Sequence, residues 1–96
     1  MKMVMLVFDA AYEEAVMETL SRVPVAGFTQ WSRVLGRGMR SDPKMDTAVW
    51  PGFNQALVAA LEDGAAATLT DALAELVRSA GGKGVKAFIW PLDRVI

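Results

Sequence analysis

Met3-Val-Met-Leu-Val-Phe8 is a continuous apolar run, and a run of that length bounded by polar residues predicts a buried strand. Asp9 follows it as a candidate N-cap. In the next segment Tyr12, Val16, Leu20 and Val23 recur at helical spacing, while Glu13, Glu14 and Glu18 fall off that stripe. Pro24 ends the pattern. Gly27 to Leu35 alternates imperfectly, with Phe28, Gln30, Ser32 and Val34 facing one way and Thr29, Trp31, Arg33 and Leu35 the other. Its β-branched and aromatic content predicts a strand. The clearest element is a helix over Ala65 to Ala80, with Leu69, Ala72, Leu73, Leu76, Val77 and Ala80 as its apolar stripe. Gly81 stands where a left-handed C-terminal cap belongs, and Val85 to Trp90 predicts a last strand closed by Pro91.

One run is ambiguous. Phe53 to Glu62 contains good helix formers, and Phe53, Leu57, Ala60 and Leu61 match helical spacing. It is also short and almost uniformly apolar, as a central strand buried on both faces would be. Local evidence leans to helix. If the run is a strand, the order becomes βαββαβ, the ferredoxin-like α+β arrangement of a four-stranded antiparallel sheet with two helices on one face. The other face would then be open and apolar, which favours oligomerisation.

Two loops carry the candidate chemistry. Gly36 to Thr47 is polar and mixed in charge, with Arg37, Arg40 and Lys44 interleaved, and reads as a long exposed loop. Gly81 to Lys86 combines glycines with Lys83 and Lys86. Glycine-freed amides beside ammonium groups suit an anion such as phosphate. The alternative is a helix cap and tight turn with two solvated lysines.

Composition narrows the function. Ninety-six residues make one domain, 1–96. There is no cysteine, which excludes disulfides, thiolate catalysis and zinc–thiolate sites, and no histidine, which removes the usual neutral-pH general base. A net charge of −1 argues against a nucleic-acid binder. No segment approaches the roughly 20 apolar residues of a membrane span, and the apolar run 3–8 is short for a signal-peptide core. A soluble, cytoplasmic protein without membrane insertion is expected.

Gly27-Phe-Thr-Gln-Trp-Ser-Arg-Val-Leu-Gly-Arg-Gly38 resembles the second strand of the P-II signalling superfamily as it enters the flexible T-loop. Lys83-Gly-Val-Lys-Ala-Phe-Ile-Trp-Pro-Leu-Asp-Arg-Val-Ile96 resembles that family's nucleotide-binding B-loop, final strand and proline turn. The spacing between the two stretches fits as well. The resemblance implies a ferredoxin-like fold with residues 54–61 as the third strand, against their local propensity. It implies a homotrimer with ligands in clefts between subunits, and a T-loop that docks on a membrane transporter or metabolic enzyme. Carried over by position, Gly27 and Thr29 lie near a base, and Arg37 and Gly38 enter the cleft from the loop. Lys83, Gly84 and Lys86 contribute to a phosphate or carboxylate site. ATP, ADP or another adenine nucleotide is the implied ligand, and no cofactor or metal is implied beyond it.

The chain departs from that pattern in places. Its only tyrosine is Tyr12, outside the loop, so tyrosine uridylylation there is not carried over. Gly38 replaces the usual glutamine, and with it the magnesium and 2-oxoglutarate chemistry; Gly84 replaces the usual aspartate. Arg40, Lys44, Met39 and Met45 are assigned to partner docking, the methionines as adaptable contacts. Trp31, Trp50 and Trp90 could stack a base, but subunit-interface packing suits Trp90 better. A second reading is a small cofactor-independent ferredoxin-like enzyme of monooxygenase or isomerase type. Without histidine its acid–base work falls to Glu, Asp, Lys or Tyr12, and a deep enclosed pocket containing a carboxylate within one protomer would favour it.

Overall fold

A computed structural model of the chain describes residues 1–38, 43–49 and 51–96. Strand β1 spans Lys2–Asp9 and leads through a 3-10 turn, Ala10–Tyr12, into helix α1, Glu13–Ser21. Strands β2, Thr29–Val34, and β3, Asn54–Leu61, follow, then helix α2, Asp63–Ser79, and strand β4, Val85–Pro91. The sheet order is β2-β3-β1-β4 with every neighbouring pair antiparallel. This is the expected ferredoxin-like α+β fold.

Alternation along β1 sorts the sheet into two faces. Val4, Leu6 and Phe8 are buried under the helices, and Leu57, Ala59 and Val85 join them with Val16, Leu20, Leu69 and Leu73. Cross-strand pairing aligns Leu6 with Leu57 and Val4 with Ala59. Residues 54–61 are therefore a strand despite their helical propensity. Hydrogen-bonding neighbours on both sides and burial of Gln55, Leu57, Ala59 and Leu61 under the helices outweigh a local preference of a few tenths of a kcal/mol per residue.

Both helix ends obey their local chemistry. Asp9 Oδ1 accepts the Ala11 amide at 2.9 Å, so the predicted cap forms, over the 3-10 turn rather than over α1 itself. At the end of α2 the Gly81 amide donates to the Arg78 carbonyl and the Gly82 amide to Val77, both at 3.0 Å. This is the double-bonded glycine cap. Gly81 has φ +71 and open space around a would-be Cβ. Gly81→Ala is expected to lower stability by about 1 kcal/mol, from backbone conformation alone, read from a urea midpoint.

The segment between β2 and β3 is tied at its base. The Gly36 amide donates to the Lys44 carbonyl at 2.8 Å and the Lys44 amide returns a bond to Gly36 at 2.5 Å. Asp46, at φ 55, donates its amide to Gly52 at 2.8 Å and pairs with Arg33, whose guanidinium lies 4.2 Å from the Phe53 ring centroid. The expected long exposed loop is thus closed by a bridge at Gly36 and Lys44. Met39, Arg40 and Trp50 lie outside the described residues.

Candidate functional site

Antiparallel pairing brings both candidate loops to one end of the sheet. Asp9, the last residue of β1, pairs with Asn54 at the start of β3, and Asn54 pairs with Val34 at the end of β2. On its other side Phe8 pairs with Val85, the first residue of β4, and the Asp9 amide donates to the Gly84 carbonyl at 2.7 Å. The loop beyond β2 and the glycine-rich loop before β4 therefore meet at Asp9.

The glycine-rich loop does not offer its amides as expected. Those of Gly81 and Gly82 cap α2, and the Lys83 amide points to the Ala80 carbonyl at 3.4 Å. An anion here would be recognised chiefly by ammonium groups. Gly84 matters for another reason. It has φ +78, and a Cβ there would sit 2.8 Å from Tyr12 Cε2 and 3.7 Å from Asp9 Cβ. Its lack of a side chain lets the Tyr12 ring and Asp9 close over the strand entry.

Asp9 holds three partners. Its amide reaches Gly84, its Oδ1 accepts from Ala11, and its Oδ2 lies 3.3 Å from Lys44 Nζ. Lys86 pairs with Val7, so it stands on the same face as Asp9 and diagonal to it. Lys44 is thus placed beside the glycine-rich loop, where the sequence had assigned it to partner docking. The sequence alone shows Asp9 only as a cap. Its position at the end of a strand antiparallel to β4 was the signal that could have paired it with Gly84.

The remaining candidates are spread out. Arg37 and Gly38 follow the Gly36 bridge and are exposed, as is Met45 beyond Lys44. Gly27 and Thr29 are exposed at β2, one edge of the sheet, while Lys83, Gly84 and Lys86 belong to β4 and its approach, the opposite edge. Three strand spacings separate the edges, roughly 14 Å. One chain does not bring these two groups into one pocket.

The face away from the helices is open. Register places Met5, Val58, Thr29 and Phe88 in one row across it, with Trp31, Ala56, Val7 and Lys86 in the next and Ala60, Met3 and Trp90 beyond. Trp31 and Phe88 are each 48% exposed and Trp90 42%. On the helix side, α2 and β4 border a groove of about 370 Å³. Mostly apolar residues border it, with Thr70, Gly82 and Lys86. Among the described residues no helix is long and apolar enough to cross a membrane.

Comparison with known proteins agrees with this architecture. The family described as nitrogen regulatory protein P-II matches residues 1–96. Among solved structures, CPII, a nitrogen regulatory PII-like protein from Thiomonas intermedia K12 bound to ADP, AMP and bicarbonate, superimposes with a TM-score of 0.74 at 16% identity. That match covers 93% of this chain and 82% of CPII. CPII with ADP and bicarbonate gives 0.67 at 16% identity, covering 97% and 88%. Its apo form gives 0.68 at 15%, covering 93% and 85%. At such identities the likeness is one of fold. No curated protein matches the chain significantly.

Proposed function

The chain belongs to the nitrogen regulatory protein P-II family, and from that premise we propose that it is a non-enzymatic cytoplasmic regulator working as a homotrimer. It binds a small anionic ligand, an adenine nucleotide first among them, in clefts between subunits. It signals through residues 36–47 to a transporter or metabolic enzyme.

One observation carries this reading: the site residues lie on opposite edges of the sheet. Gly27 and Thr29 of one copy meet Lys83, Gly84 and Lys86 of another only across a contact between subunits, and the open apolar face supplies the reason to assemble. Arg37 and Gly38, at the same end of the sheet as Gly84, then border the shared cleft. The ligands named for CPII, ADP, AMP and bicarbonate, make these compounds the first to test. Family members are generally non-enzymatic signalling proteins, and that supports a regulatory role.

Calorimetry against ATP, ADP and AMP, with and without bicarbonate, tests the ligand class. Binding to the wild-type protein is expected, weakened about tenfold or more in Lys86→Ala by loss of one ammonium–anion contact. Lys86 is an exposed side chain, so its melting temperature should stay unchanged. Absence of heat at millimolar concentrations of every nucleotide would sink the adenine-nucleotide reading.

A further inference from the structure

We propose that Lys44 is a residue of the anion site, held on Asp9 until a ligand takes its ammonium and thereby unlatches the base of the 36–44 loop. The inference deepens the reading above and rests on it for the place of the ligand.

The geometry around Asp9 carries it. One carboxylate oxygen is fixed by the Ala11 amide at 2.9 Å, so the carboxylate cannot follow a departing partner. The other faces Lys44 Nζ at 3.3 Å, and the two side chains are only 26% and 25% exposed. A pair so covered is screened less than one on the open surface. Asp9 itself is anchored to the glycine-rich loop through the Gly84 carbonyl, with its Cβ 3.7 Å from where a Gly84 Cβ would stand. The Lys44 ammonium is therefore delivered to the side of Gly84, in the loop that leads into β4.

The same residue closes the other loop. Lys44 exchanges both backbone bonds with Gly36, and its Cδ lies 3.5 Å from the position of a Gly52 Cβ, so its stem rests on the turn before β3. Ion pair and loop closure are one structure.

An anion entering beside Gly84 meets Asp9 as a like charge, with the Gly81 and Gly82 amides already engaged by α2 and the Lys83 amide by Ala80. Lys44 can neutralise the carboxylate or the ligand. A phosphate with more than one negative charge is the stronger partner. When the ammonium leaves Asp9, the Gly36–Lys44 bridge loses the contact that anchors it to β1. Coupling of this kind is reciprocal: whatever holds the loop open also favours the anion.

Two variants and two probes test the proposal. Asp9→Asn keeps the shape and the Ala11 and Gly84 bonds but removes the competing charge; Lys44→Ala removes the ammonium. In the absence of ligand, hydrogen exchange at the Gly36 and Lys44 amides is expected to quicken several-fold in Asp9→Asn. In titrations with inorganic phosphate followed by amide chemical shifts, Asp9→Asn should bind about fivefold more tightly and Lys44→Ala about tenfold more weakly than wild type. A merely structural ion pair predicts the opposite sign for Asp9→Asn, since a loosened site binds less well. Unchanged exchange, no tighter phosphate binding in Asp9→Asn, or no loss in Lys44→Ala overturns the proposal. The same titrations with ADP separate the sources of the anion. Phosphate binding with this pattern but no response to ADP overturns the nucleotide reading and leaves the role of Lys44 standing.

Discussion

Replacing Phe88 by glutamate is expected to dissolve the oligomer. Phe88 stands in the middle of β4 on the open face, in the row of Met5 and Val58, with Trp90 as its neighbour two residues on. The wild-type protein should scatter light as a species of about 31 kDa, three times the 10.4 kDa chain. A carboxylate in an apolar interface has no partner there and costs several kcal/mol to desolvate. Threefold symmetry repeats that cost in every subunit. In the isolated chain position 88 is half exposed and the glutamate stays hydrated, so the monomer should keep its helical circular dichroism. The variant is expected at 10.4 kDa at micromolar concentration, with nucleotide affinity lost together with the shared cleft. A wild-type protein that is already monomeric would remove the trimer and the inter-subunit site with it. An unchanged mass for Phe88→Glu would place the interface elsewhere.

The largest effect on stability is expected at Gly84. An alanine there must adopt φ +78, which costs an L-residue about 1–2 kcal/mol. Its Cβ must also displace the Tyr12 ring from 2.8 Å, and overpacking of this kind costs a further ~1–3 kcal/mol. A total of about 3 kcal/mol corresponds to a fall of roughly 10–20 °C in melting temperature for a domain of this size. Gly27→Ala serves as the control, because nothing lies within 4 Å of a Cβ at that position. Its melt should match wild type. Tyr12→Ala in the Gly84→Ala background should recover part of the loss, since it removes the collision but not the backbone cost. Equal melts for Gly84→Ala and Gly27→Ala would mean that neither the positive φ of Gly84 nor the Tyr12 contact over it holds in solution.

Much of the fold was legible as periodicity. The apolar run ending at Phe8, the stripe of α2, the glycine cap at Gly81 and the last strand all appear where local chemistry places them. Each depends on neighbours within a few residues. The third strand does not, and its residues alone lean to helix. Only the resemblance in the flanking stretches identified it, and only its place between β1 and β2 explains it. The candidate site was less legible. Residues 81–86 look like an anion nest when read as glycine and lysine types, yet α2 claims the amides of Gly81 and Gly82. Lys44 looks like a mid-loop charge until the Gly36 bridge brings it to Asp9.

The sequence by itself determined every element but the third strand, and the absence of thiol and imidazole chemistry. Those follow from residue types and from periods of two and 3.6, which are local properties of the chain. Tertiary structure alone decided which distant residues share a place. Register set Asp9 against Gly84 and between Lys44 and Lys86, and strand order put Gly27 and Lys86 on opposite edges. Contacts between residues 35 or 75 positions apart depend on how strands pair, and no local period in the chain encodes that pairing.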